Sequence, residues 1–327
     1  MNRRIREWLS SWSNQDEDSR NAFLLIAGIA VVVVIAIGLA VFGALKERGE
    51  DTDAVVVVGG QEVPYSYFEK RVRPYMRGDN SVTPEQFSQI VSGLIAEVEQ
   101  EKLLFHVAKT RGIEVKDEDI DAEMREDLGV SPDATKEVFA TSLRRELLET
   151  GLSLEQYRNM QRAQVIEDRI REDARAAVPA EAEQVDIRLA QFDTIEKANE
   201  AKTKLDGGDS LSTIAATMSI HSSSTRAGEI NWVARGSFAP KLEEAMFAQE
   251  VGTTSGIIET DEGFFIVEVR GKETRTVDDP VRNLVVARTF GTALQEARDD
   301  IGSEIVMTTA QLQRLASRFS TSLTLGG

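Results

Sequence analysis

The chain contains no cysteine in 327 residues, which excludes disulfides, thiolate metal sites and cysteine nucleophiles. Histidine is almost as scarce: only His106 and His221 occur, far apart. A Ser-His-Asp triad would have to use one of them, and no local pattern supports it. Cations are outnumbered, with 38 Lys and Arg against 55 Asp and Glu and a formal net charge of −17. Phosphate backbones are neutralised by clustered Lys and Arg, so nucleic acid is not an expected partner. Surplus acid on a surface names no other partner. Neither a glycine-rich phosphate loop nor a metal-ligand spacing is visible, and no cofactor is expected.

The length exceeds that of one typical domain, and an apolar content of 41 % suffices for a core. Residues 22–45, "AFLLIAGIAVVVVIAIGLAVFGAL", carry no charge. At about 1.5 Å per residue these 24 residues make a helix of about 36 Å, enough to cross a hydrocarbon core of roughly 30 Å. A cleaved signal peptide has an apolar stretch of only roughly 7–15 residues, so an uncleaved signal anchor is expected, with the lipid bilayer as its partner. Arg3, Arg4, Arg6 and Arg20 precede the segment, whereas only Lys46 and Arg48 follow closely. The positive-inside rule then leaves residues 1–21 as a cytoplasmic tail and the bulk of the chain outside: a single-pass protein of the cytoplasmic membrane.

Val55 to Val58 is a short β-branched run, Gly59-Gly60 a turn, and a helix should begin near Ser66. In "TPEQFSQIVSGLIAEVEQEKLLFHVAKTRG", Thr83 can cap, Pro84 suits the first helical position and Gln86 completes a capping box. Phe87, Ile90, Val91, Leu94, Ile95, Val98 and Phe105 share one face, and Gly112 can end the helix. His106 reads as a surface or half-buried helix residue. A short helix over "DEDIDAEMRED" and a long one opened by the Ser153–Gln156 capping box follow, and Pro179 stops the second. These stretches resemble the N-terminal chaperone domain of the SurA/PrsA/PpiD family. That family has an extended Val-Asn-Gly turn, a Leu-Ile-x-x-x-Leu-Leu helix and a "Gly-Leu-Ser" helix start; here Gly59 replaces the Asn. The resemblance implies a mostly helical module over residues 54–178 that binds unfolded or nascent exported polypeptides.

Farther on, "VDIRLAQF" alternates like a half-buried strand, and two helices break at Gly207-Gly208, the first capped from Asp193 and Glu196. "APKLEEAMFAQEVG" reads as a short helix and "SGIIETDEGFFIVEVRG" as a pair of strands around Asp261-Glu262-Gly263. In order and content, "GGDSLSTIAATMS", "RAGEINW", "LEEAMFA" and "TDEGFFIVEV" resemble the parvulin (PpiC-type) prolyl isomerases. The resemblance implies an FKBP-like α+β domain over residues 182–273, followed by a C-terminal helical segment, 274–327, that docks on the helical module. The overall class is thus α+β with an N-terminal transmembrane helix.

The same resemblance assigns a site. Ile230, Phe238 and Leu242 would line a proline slot and Phe247 would back it. The two positions that usually hold histidines are assigned to Arg188 and Phe265. The loop position that is usually Asp or Cys is His221. With Ser222, its serine neighbours and Thr260 it could rebuild a polar wall, or it could be a solvated loop residue. "RAGEINW" departs from the usual Gly-Gly-Asp-Leu-Gly-Trp at Ala227, Glu229 and Asn231. Two readings stand side by side: a prolyl isomerase and chaperone, and a non-catalytic chaperone or scaffold with a degenerate parvulin domain.

Overall fold

The computed structural model describes residues 53–76, 82 and 84–319. The expected membrane segment, the cytoplasmic tail and Thr83 lie outside these residues. Among the described residues no helix is long and apolar enough to cross a membrane. The chain divides into two compact units, residues 53–170 with 293–319 and residues 171–292.

The first unit opens with β1 (Ala54–Val58) and β2 (Gln61–Pro64), an antiparallel pair. Gly59 and Gly60 both have positive φ, 57° and 75°, which a two-residue hairpin turn of the primed type requires. Helix α1 (Tyr65–Val72) follows directly. Helix α2 (Pro84–Arg111) buries Phe87, Val91, Leu94, Val98, Leu103 and Leu104, while Ile90, Ile95 and Phe105 are half-buried. Helix α3 (Asp117–Asp127) buries Ile120 and Met124. Helix α4 (Lys136–Thr150) is capped by Thr135 and ended by Gly151, and Thr150 is its single buried residue. Helix α5 (Leu154–Ala177) starts at the expected capping box, in which the amide of Ser153 donates to Gln156 and that of Gln156 to Ser153 Oγ.

The second unit is built on β3 (Glu181–Phe192), followed by α6 (Ile195–Asp206) and α7 (Leu211–Met218). Thr194, not Asp193, caps α6: its hydroxyl accepts from the Lys197 amide. Then come β4 (Glu229–Ala234), α8 (Pro240–Ala248), β5 (Thr253–Thr254), β6 (Ile258–Thr260) and β7 (Gly263–Thr276). The sheet order is β4-β3-β7-β5, with β6 also pairing β7. The ladder between β3 and β7 is antiparallel and sets Leu189 against Val267, Ala190 against Ile266 and Gln191 against Phe265. Ile187, Leu189, Phe265 and Val267 pack on one face; Ala190, Phe192 and Ile266 pack on the other, under α6 and α7. A strand buried on both faces reads as nearly continuous apolar sequence, as β3 does from residue 189 onward.

Helix α9 (Asp279–Ile301) begins in the second unit and ends in the first. The C-terminal stretch then departs from a purely helical reading. Gly302 turns the chain at φ 73°, β8 (Ser303–Ile305) joins the free edge of β1, and α10 (Thr309–Arg318) follows. In the first unit Arg298 binds both oxygens of Glu99, at 2.9 and 3.1 Å, and Gln311 donates to the Ala54 carbonyl at 3.2 Å. Leu315 on α10 is fully buried, whereas Leu148 on α4 is 75 % exposed. Leu315→Ala should therefore cost about 2–4 kcal/mol in urea unfolding, and Leu148→Ala less than about 0.5 kcal/mol. Equal effects of the two would refute this account of how the C-terminal segment is held.

Candidate functional site

One face of the sheet in the second unit collects the apolar residues assigned to the slot. Leu242 and Phe247 of α8 pack with Ile187, Leu189 and Phe265, and half-buried Ile230, Phe238 and Ile258 border the same cluster. Leu284 of α9 packs against it as well. Pro240 starts α8, and Glu243 on its first turn accepts a hydrogen bond from the Phe238 amide at 2.9 Å. That bond pins the backbone that carries Phe238. Leu242 has no exposed surface, so it is a floor beneath the cluster, and only its half-buried neighbours can touch a ligand directly. Directly before Phe238, the buried hydroxyl of Ser237 has no hydrogen-bond partner among the described residues, a feature that sequence patterning gives no means to find.

Arg188 is not part of this cluster. Its partner across the ladder is Glu268, on the face opposite Phe265. There it binds Glu268 at 2.9 Å and Glu229 at 3.2 Å, while Arg270 binds Glu229 at 2.9 Å and Asp186 at 2.6 Å. The strand residue that shares the slot face with Phe265 is Leu189. Side chains alternate along a strand, so Arg188, next to Leu189, points to the other face. Counting back from Phe265 requires the register with β7, which only the folded sheet supplies. Both inward positions are then apolar, Leu189 and Phe265.

Residues 219–228 form the loop beside this sheet. Ser219 Oγ accepts from the amides of Gln191 and His221, at 3.0 and 3.1 Å, and the Ile220 amide donates to the Gln191 carbonyl. A 3-10 turn follows over Ser222–Arg226. Ala227 and Asn231 adopt left-handed backbone at φ 55° and 69°. Asn231 stands where the register of β3 with β4 shifts, a bulge that Asn tolerates better than most residues. Gly228 is required by contact: a Cβ there would lie 2.5 Å from the Leu189 carbonyl oxygen and 2.7 Å from Ala215 Cβ.

His221 is not solvated; it is 6 % exposed. Its Nδ1 accepts from the Ser223 amide at 3.1 Å and lies 2.8 Å from Ser223 Oγ. An amide N–H can only donate, so the proton of the neutral ring sits on Nε2. Burial, assisted by the charge of Arg226, pushes its pKa down to about 4, and the ring is neutral at physiological pH. Ser222 is exposed. The Thr260 hydroxyl donates to the Gly263 carbonyl at 3.2 Å and accepts from the Glu262 amide at 3.1 Å, so it is spent on the β6–β7 turn. No hydrogen bond joins Thr260 to His221 or Ser222 among the described residues, and the polar wall is reduced to the His221–Ser223 pair.

Comparison with known proteins agrees with this architecture. Residues 171–271 match the PPIC-type PPIASE domain and residues 18–171 the SurA-like N-terminal domain. The chain therefore carries a SurA-like N-terminal domain and a PpiC parvulin-type isomerase domain. It is similar to a foldase protein PrsA of a Geobacillus species, 24 % identical over 203 residues, which are 60 % of this chain and 71 % of that protein. It is also similar to PrsA of Geobacillus kaustophilus, 34 % identical over 79 residues, 24 % of this chain and 28 % of that protein. The chaperone SurA of Nitrosospira multiformis is 27 % identical over 112 residues, 33 % of this chain and 26 % of that protein. The chain thus spans about a quarter of the length of the latter two.

The buried imidazole makes stability depend on pH. The unfolded ring binds a proton near pH 6.5 and the folded ring only near 4, so the folded state loses up to roughly 3 kcal/mol as pH falls through that window. In urea unfolding measured at a series of pH values, His221→Asn should flatten the decline between pH 6.5 and 4; an unchanged slope would contradict the buried neutral ring. Gly228→Ala should cost at least about 2 kcal/mol at any pH, since both the contact and the backbone angle oppose a side chain.

Proposed function

We propose that this protein is a membrane-anchored, extracytoplasmic folding factor. Its helical module, residues 54–178, holds unfolded or nascent exported polypeptides. Its parvulin-type domain, residues 182–273, binds proline-containing segments and isomerises the bond that precedes proline. Residues 1–21 form the cytoplasmic tail, 22–45 the anchor and 274–327 a C-terminal segment that completes the helical module. The observation that carries this reading is the presence, in one chain, of a SurA-like N-terminal domain and a PPIC-type domain. The uncharged stretch at residues 22–45 and its arginine-rich N-terminal flank support the anchor and its orientation.

The chemistry needs no nucleophile. Rotation about an amide bond meets a barrier of roughly 18–20 kcal/mol because the planar form is stabilised by resonance. The planar amide is also the more dipolar form, so water stabilises it more than it stabilises the twisted one. An apolar slot removes that water and lowers the twisted form relative to the planar one. Phe238, Ile230, Ile258 and Phe265 supply such surroundings, with Leu242 and Phe247 behind them. The neutral His221, with its proton on Nε2, is the hydrogen-bond donor assigned to the twisting bond. Ser222 at the exposed edge of the loop is assigned a contact with the peptide backbone, and Thr260 a positioning role through its turn.

A second reading is favoured by one specific observation. Both strand positions facing the slot are apolar, Leu189 and Phe265, so a single polar side chain would have to carry all polar stabilisation. The domain would then bind proline segments without turning them over, and the protein would be a non-catalytic chaperone or scaffold. Proline-limited refolding of a test protein separates the two readings. The full chain should accelerate it, and Phe238→Ala should cut that acceleration at least about tenfold, a loss of about 1.4 kcal/mol in barrier lowering. Phe238 is the useful probe because Leu242 is wholly buried and its truncation would disturb the fold. No acceleration together with suppressed client aggregation would establish the second reading; neither effect would defeat both.

A further inference from the structure

The first half of α9, as far as Thr292, belongs to the second unit, as the slot does. Three contacts fix its course there. Leu284 packs against the apolar cluster that contains Leu189, Leu242, Phe247 and Phe265. Val285 closes on Gly236, where a Cβ would lie 3.1 Å from Val285 Cγ1. One turn on, Arg288 donates to the carboxylate of Glu262 in the β6–β7 turn. Gly236 stands two residues before Phe238, and Glu262 two residues after Thr260. The helix therefore runs from the Phe238 side of the candidate site to its Thr260 side. Leu284 and Arg288, four residues apart, share the helix face that meets it.

Other contacts anchor the helix away from the slot. Arg282 donates to the carbonyls of Val178 and Val277 at 3.0 and 3.1 Å, and the Val281 amide donates to the Asp278 carboxylate at 3.1 Å. Farther along, the Arg171 guanidinium lies 3.9 Å from the centre of the Phe290 ring. The seat on the slot is lighter. Leu284 is only half-buried, and both side chains of the Arg288–Glu262 pair are 32 % exposed, so solvent weakens their attraction. Ile230, Phe238 and Ile258 stay half-buried with the helix in place, so the cover is incomplete. A leucine side chain is a compact apolar group of about the bulk of a prolyl ring, and one apolar slot accepts either. We propose that α9 is a built-in competitor of the parvulin-type domain: Leu284 takes the place of the client's prolyl ring, Arg288 latches the helix to Glu262, and a proline-containing segment must displace both to bind. The inference rests on the slot assignment above and adds regulation to it. A covered site shows its intrinsic affinity reduced by the fraction of open molecules, so loosening the cover strengthens binding without any new contact.

The test uses the full chain in detergent micelles, with two readouts: fluorescence anisotropy of a soluble labelled peptide that has one central Ala-Pro pair, and proline-limited refolding. Leu284→Ser should bind the peptide at least about fivefold tighter than the unaltered chain and accelerate refolding more. Arg288→Gln and Glu262→Gln should each tighten binding by a smaller, equal factor, and the two together no more than either alone. Thr292→Ala, at an exposed position of the same helix, should change neither readout. The chain has no cysteine of its own, so Glu262→Cys with Arg288→Cys supplies a lock. A cleavable bismaleimide that joins the two should abolish binding, and cleavage should restore it. Unchanged affinity in Leu284→Ser and Arg288→Gln, or undiminished binding by the cross-linked chain, would overturn the inference and leave the slot assignment standing. Weaker binding by Leu284→Ser at an unchanged melting temperature would also overturn it, because the helix would then belong to the binding surface. If Leu284→Ser did not fold, Arg288→Gln and the lock would decide. If neither the unaltered chain nor any variant bound the peptide or accelerated refolding, the slot assignment itself would fall, and the inference with it.

Discussion

The antiparallel ladder between β3 and β7 is the constraint on which the second unit depends. Twelve paired positions hold the two strands together, and both faces of the pair are covered. Because neighbouring residues point to opposite faces, the ladder divides the chemistry of the unit. One face gathers the apolar cluster of Leu189, Phe265, Leu242 and Phe238; the other holds the α6–α7 core and, farther along, the ion pairs of Arg188 and Arg270. Strand β4, the α8 helix and the His221 loop all take their positions from this pair of strands.

The candidate slot is bounded by apolar side chains, and the one histidine of this unit lies in the loop at residues 219–228. Burial keeps the single imidazole neutral, and its Nδ1 is already engaged by Ser223. A site of this kind has dryness and shape at its disposal, and little electrostatic leverage. For a reaction whose ground state is the more dipolar form, dryness is a useful means of lowering the barrier. The same composition would also serve simple binding of proline segments.

The first unit distributes polarity the opposite way. Its tyrosines, arginine and carboxylates are buried in a bonded network: Tyr67 donates to Glu101, and Tyr157 and Gln161 donate to Asp127. Each buried acceptor that is satisfied in this way avoids most of the cost of leaving water. Closure of the unit is non-local, since β8 completes the edge of β1 and Arg298 pairs with Glu99 from the far end of the chain. Helix α4 shares little of this burial.

What the sequence determined by itself is local. The β-branched run at Val55, the paired glycines after it, the Ser153–Gln156 box and the apolar stripe of α2 each follow from forces that act within a few residues, and they could be read directly. Ile230, Phe238, Leu242 and Phe247 were assigned through the resemblance to parvulins, and the fold gathers them at one apolar cluster. The tertiary structure alone decided what depends on distant partners. It set the register that puts Leu189, not Arg188, on the face of Phe265; the burial that neutralises His221; the turn that consumes the Thr260 hydroxyl; and the strand at Ser303–Ile305. Pairing across a sheet and exclusion of water are properties of the assembled chain, and no window of sequence contains them.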